Sequence, residues 1–202
     1  MIDFLSTFII FFAVVDPIGT VPVFIAVTSH FDNVAKNKVA LMSTLVAAAI
    51  LLFFVVAGEL ILTAMSITLP AFQIAGGIVL FLFALTMIFG ESKPDEEMKL
   101  IHDHHETAVF PLAVPSIASP GAMLAAVLLT EHNRYSIWEQ AQTVAVILVV
   151  LIVTYCLMLM AGQVNRLIGS SGASVVSRVM GLILASVATS NTLTGITLYF
   201  GL

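Results

Sequence analysis

The chain has 202 residues, of which 60% are hydrophobic and 9% charged, and its mean hydropathy is +1.12. That composition excludes a soluble domain with a large core and points to an integral membrane protein. The net charge of −5 arises from residues gathered in a few loops, with no basic stripe that would suit nucleic acid.

At the N-terminus, Met1-Ile2-Asp3 offers no Lys or Arg before the first apolar run, so the basic region of a cleaved signal peptide is missing and the run reads as a retained helix. Six apolar stretches follow, at 4–28, 40–62, 71–89, 109–130, 141–162 and 176–200, each near the ~20 residues that cross the hydrocarbon. They are far longer than barrel strands and show no in-out alternation. The chain is therefore expected to be an all-α, polytopic membrane protein with six transmembrane helices. With the N-terminus outside, Lys36, Lys38, Lys93, Lys99, Arg166 and Arg178 fall on the inner side and only Arg134 on the outer. This positive-inside bias predicts a multi-pass protein of the plasma (bacterial or archaeal inner) membrane with both termini outside.

The first stretch contains Pro17-Ile-Gly-Thr-Val-Pro22, preceded by Asp16. Two prolines five residues apart each remove a backbone donor and clash with the preceding turn, so a broken helix is expected. Pro17 is expected to end a first half-helix and Pro22 to open a second. A carboxylate at this depth is costly and faces a cavity or a partner. Asp16 reads either as a contact for substrate or ion, or as a local cap on Gly19 or Thr20. Glu59 closes the second stretch, and the third carries Gly77.

Residues 90–108 read as the one long cytoplasmic loop, where His102, His104 and His105 are weak metal-ligand candidates without a fixed zinc spacing. The fourth stretch repeats the proline pattern as Pro115-Ser-Ile-Ala-Ser-Pro120, with Ser119 a good N-cap and Gly121 after it. The fifth holds Cys156 as apolar filler, with Gln163 at its inner end just past residue 162. In the sixth, Ser177, Gly181, Ala185 and Thr189 recur at four-residue spacing as a packing seam. Ser186, Ser190, Thr194 and Thr197, with Asn191 at their edge, lie on a neighbouring face as structural glue or a polar path. Glu59, Gln163, Ser190 and Asn191 are the candidate gate or polar-path residues, although Glu59 and Gln163 also suit a simple reach to the interface.

Pro17 and Pro22 map onto Pro115 and Pro120 at an offset of 98, while Ala57-Gly58-Glu59 maps onto Ala161-Gly162-Gln163 and Gly77 onto Gly181 at 104. The expected organisation is a single membrane domain of two three-helix repeats, 1–89 and 109–202, with broken helices 1 and 4. Three spans per repeat make the two inverted. Inversion brings two half-helix N-termini toward the midplane, where free N–H groups and partial positive charge favour an anionic group. The alternative is that both proline pairs are kinks packed in protein.

Asp16-Pro-Ile-Gly-Thr-Val-Pro22, Ile74-Ala-Gly-Gly77, Phe110-Pro-Leu-Ala-Val-Pro-Ser-Ile-Ala-Ser-Pro-Gly121 and Ser177-Arg-Val-Met-Gly-Leu182 resemble, in order and over nearly the whole chain, the MarC family of multiple-antibiotic-resistance-locus membrane proteins. That family is also grouped as neutral amino acid transporters in the LysE-type exporter superfamily. Ser119 departs from it, standing where members more often carry Gly. The resemblance implies six spans with outside termini and, for at least some members, transport of small neutral amino acids such as glycine or alanine; it does not imply drug transport.

The reading that follows is a secondary transporter of such amino acids, with no catalytic residues and no cofactor. Its expected partners are a zwitterionic substrate and the lipid bilayer. The substrate carboxylate is placed near Thr20, Val21, Ser119 and Gly121 and the ammonium near Asp16, with Pro17, Gly19, Pro115 and Ser116 completing the site. Coupling to sodium ions or protons, and the oligomeric state, stay open. Two alternatives are an exporter of divalent metal or another small solute that uses the histidine loop, and a membrane scaffold or enzyme.

Overall fold

The computed structural model describes residues 4–89, 107–131 and 135–201. Helices α1 (Phe4–Val15), α2 (Pro17–Val27), α3 (Asn33–Ala64) and α4 (Leu69–Phe89) are followed by an irregular helical segment, Ala108–Ile117, and by α5 (Pro120–Leu128), α6 (Ile137–Leu159) and α7 (Ala161–Phe200). Five of the resulting spans are long and apolar enough to cross a membrane, and a sixth is formed if the irregular segment and α5 are taken together across their 56° bend. The architecture is that of an all-helical polytopic membrane protein.

Helix starts follow local chemistry. Asp32 caps α3 by accepting from Ala35 N at 2.8 Å. Ser136 caps α6 in a reciprocal box, its own N–H reaching Glu139 Oε2 at 3.0 Å while Glu139 N reaches Ser136 Oγ. Such a cap contributes about 1 kcal/mol. In α7, Gly169 adopts φ +68° and ψ 170°, a left-handed break that only glycine takes without strain, so the apolar span itself runs from Ser174 to Phe200.

Two expectations about the breaks need correction. The first stretch is not sharply broken: α1 and α2 run on as one 24-residue span, interrupted at Asp16 alone. Asp16 N still donates to Phe12 O and Thr20 N to Asp16 O, both at 3.0 Å, so the ladder is largely kept across the interruption. Secondly, Pro17 rather than Pro22 occupies the first turn of α2, and Pro22 lies inside the helix.

The caps also give a different spacing from the proline pairs. Asp16 and Ser119 each precede a proline at the first helical position, 103 residues apart, and the caps Asp32 and Ser136 stand 104 apart. Positive φ recurs at Ser66 and Gly169, again 103 apart. The contacts match in the same way. α1 packs on α6 as the irregular segment packs on α3; α2 packs on α6 as α5 packs on α3; and α2 packs on α7 as α5 packs on α4.

In lipid the apolar effect does not drive helices together, so close approach of backbones must do so. The broad α4–α7 contact is of this kind: a Cβ added at Gly77 would strike Thr192 Oγ1 and come within 2.9 Å of the Ala188 carbonyl. Around the breaks, Phe11, Val14, Leu80, Leu112, Ile117 and Ile147 are fully buried and fix the position of both interruptions.

Candidate functional site at the chain breaks

Asp16 sits in the left-handed region (φ 45°, ψ 67°), which Asp tolerates better than most side chains because its carboxylate can bond nearby backbone. Here Oδ1 accepts from Gly19 N at 3.0 Å, the local-cap role that the sequence allows. Pro17 follows with no N–H to satisfy, and Thr20 Oγ1 donates to the Asp16 carbonyl at 3.0 Å. A carboxylate at the start of α2 meets the positive end of that helix dipole, which offsets part of the cost of its burial at 8% exposure.

The second break is built differently. Pro111 and Pro115 both lie inside one short segment, and each forces the residue before it out of the helical region: Phe110 and Val114 take φ −132° with ψ 128° and 127°. The segment closes with a wide turn, Ala118 N to Ala113 O at 2.8 Å, before Ser119 opens α5. Ser119 Oγ accepts from Ala122 N at 3.1 Å and donates to the Val14 carbonyl at 2.7 Å. One fully buried serine thus caps its own helix and also one of the carbonyls that end α1. A second link joins the breaks, with Thr20 Oγ1 and Ser116 Oγ 3.3 Å apart.

The structure therefore brings together Asp16, Thr20, Ser116 and Ser119 from sequence positions about a hundred residues apart. Pro17 and Val21 are buried beside them, while Gly19 and Pro115 are half-buried. Gly121 is covered: a Cβ there would strike Leu80 Cδ1 and lie 3.5 Å from Val14. Glu59 lies half-buried late in α3, Gln163 is exposed at the start of α7, and on α7 Ser190 is exposed and Asn191 half-buried. Ser186 and Thr197 of the expected polar face, and Thr189 of the expected packing seam, are exposed and return their hydroxyls to the carbonyl four residues earlier. His102, His104 and His105 lie outside the described residues.

Sequence reasoning missed Leu80, which covers Gly121, and the pre-proline residues Phe110 and Val114. The doubled X-Pro step at 110–111 and 114–115 was the available signal for the latter. Nothing local announces Leu80, because its contact depends on how α4 and α5 pack.

Fold and site define a multi-pass helical membrane protein with two interrupted segments meeting through buried polar side chains. The comparisons agree: residues 1–200 match the MarC family integral membrane protein profile. A UPF0056 membrane protein, MJ1677 of Methanocaldococcus jannaschii, is 35% identical over 196 residues, covering 96% of this chain and 95% of the relative. The UPF0056 inner membrane protein YhgN of Escherichia coli K12 is 30% identical over 199 residues, 98% of each chain. A UPF0056 membrane protein of Buchnera aphidicola from Baizongia pistaciae is 30% identical over 200 residues, 99% of each. The chain belongs to the MarC family and is a multi-pass protein of the inner (plasma) membrane. No solved structure matches it.

Proposed function

We propose that this protein is a secondary transporter of small neutral amino acids of the glycine or alanine type, and not an enzyme. It is built from two inverted three-span repeats with both termini outside. The repeat is supported by the paired caps, the paired positive-φ turns and the reciprocal helix contacts, and an odd number of spans per half makes the halves antiparallel. The observation that carries the reading is the polar cluster of buried Asp16, Thr20 and Ser119 with half-buried Ser116 at the meeting of the two interruptions. Polar groups at membrane depth are costly and mark pathways for solutes or ions.

The cluster sharpens where a zwitterion would sit. Ser119 already uses its hydroxyl in both directions and Gly121 lies beneath Leu80, so a carboxylate does not fit between them in this conformation. The half-buried rim of Ile18, Gly19, Val114, Pro115 and Ser116 is the accessible approach. Within the first turn of α2, Pro17 has no N–H and Gly19 N is taken by Asp16, which leaves Ile18 N as the donor for a carboxylate. The ammonium then lies toward Asp16 and Ser116.

Reconstituted protein should exchange labelled glycine or alanine across proteoliposome membranes, and Asp16→Asn should lose that exchange while keeping its helical fold. Failure of the wild type to move either amino acid refutes the proposal. Undiminished exchange by Asp16→Asn removes Asp16 from the mechanism.

A further inference from the structure

The geometry points to the Thr20–Ser116 pair as an acceptor-only subsite that reads the ammonium group of the substrate, an inference that rests on the transport reading above. Thr20 has one hydroxyl hydrogen, and its Oγ1 lies 3.0 Å from the Asp16 carbonyl oxygen, which can only accept. That hydrogen is committed. At the 3.3 Å contact between the two hydroxyls, Ser116 is therefore the donor. With its own hydrogen directed at Thr20, Ser116 Oγ offers a ligand lone pairs alone.

Position supports the same conclusion. Thr20 is 1% exposed and held in the core, whereas Ser116 is half-buried on the accessible rim. The Asp16 carboxylate lies one helical turn before Thr20 and adds negative charge while accepting from Gly19. A lone-pair acceptor beside a carboxylate suits a cationic N–H donor and gives a carboxylate nothing to bond. Ser119 does not share this role, since it is fully buried and already bonded to Val14 and Ala122.

The test is calorimetric binding of glycine and of acetate, which has the carboxylate without the ammonium, to the purified full-length protein in detergent. The wild type should prefer glycine. Ser116→Ala should bind glycine about tenfold more weakly with acetate unchanged, the scale of one lost hydrogen bond to a charged group, and Ser116→Thr should restore the preference. Thr20→Val keeps the side-chain shape and releases the Ser116 hydrogen, so the ratio of acetate to glycine affinity should rise by about tenfold. The inference is overturned if Ser116→Ala leaves glycine binding unchanged or weakens both ligands alike, or if Thr20→Val leaves the ratio unchanged. Should Ser116→Ala fail to fold, Thr20→Val decides by the same ratio. A wild type that binds no glycine refutes the transport reading and this inference together, whereas glycine binding with unresponsive variants refutes this inference alone.

Discussion

The two interruptions share a cap followed by a proline, yet one barely disturbs its span and the other turns the chain by 56°. At the first, a single residue leaves the helical region and the hydrogen bonds on either side of it persist at 3.0 Å. At the second, two prolines four residues apart each push their predecessor into extended backbone, and the ladder gives way over ten residues. A proline at the first helical position interrupts a span at little cost. Pro22 alone is tolerated inside α2, whereas the pair Pro111 and Pro115 together disrupt their short segment. The second interruption then carries the more demanding structural role, because Ser119 serves both breaks at once.

Six substitutions test that difference, beginning with the largest effect. Ser119→Ala removes the α5 cap and leaves the Val14 carbonyl buried without its hydroxyl donor; together these should destabilise the protein by about 2–4 kcal/mol. Thermal unfolding in detergent would show it, and an unchanged midpoint would mean that the cross-link is dispensable. Gly121→Ala drives a methyl into Leu80 and should cost about 1–3 kcal/mol by overpacking. The equivalent position of the first break is Ile18, which already carries a large side chain, so Ile18→Ala should leave the packing of Leu80 untouched. Measured equality of the two variants would break the asymmetry. Smallest of all, Pro120→Ala and Pro17→Ala, both at first-turn positions where no N–H is needed, should each shift stability by less than about 1 kcal/mol. Pro22→Ala, inside α2, should instead stabilise by a larger margin, since it restores a donor to the helix.

Much of the architecture was legible in the residues. Five of the six apolar stretches correspond to helices long and apolar enough to span, and the fourth to the bent pair, because length and hydropathy decide what can cross a bilayer. Ser119 was identifiable as a cap, and Asp16 as a residue at the interruption. The spacing between corresponding positions of the two halves was harder to read. Matching Pro17 and Pro22 to Pro115 and Pro120 gave an offset of 98, whereas Gly58 and Gly77 gave 104 and the caps give 103 and 104. Prolines mark where backbone donors are missing, but the cap marks where the new helix begins, and Pro22 belongs to a helix interior.

What the sequence by itself determined is the class of the protein, the approximate places along the chain of its two interruptions and the residue types available there, all consequences of local chemistry and of apolar run length. Tertiary structure decided which of those residues meet. The 2.7 Å bond from Ser119 to Val14 and the contact between Thr20 and Ser116 join positions 105 and 96 residues apart. No local pattern encodes such pairings. They follow from the packing of α1 and α2 against the second half, where backbone groups released by the breaks must find partners because lipid supplies none.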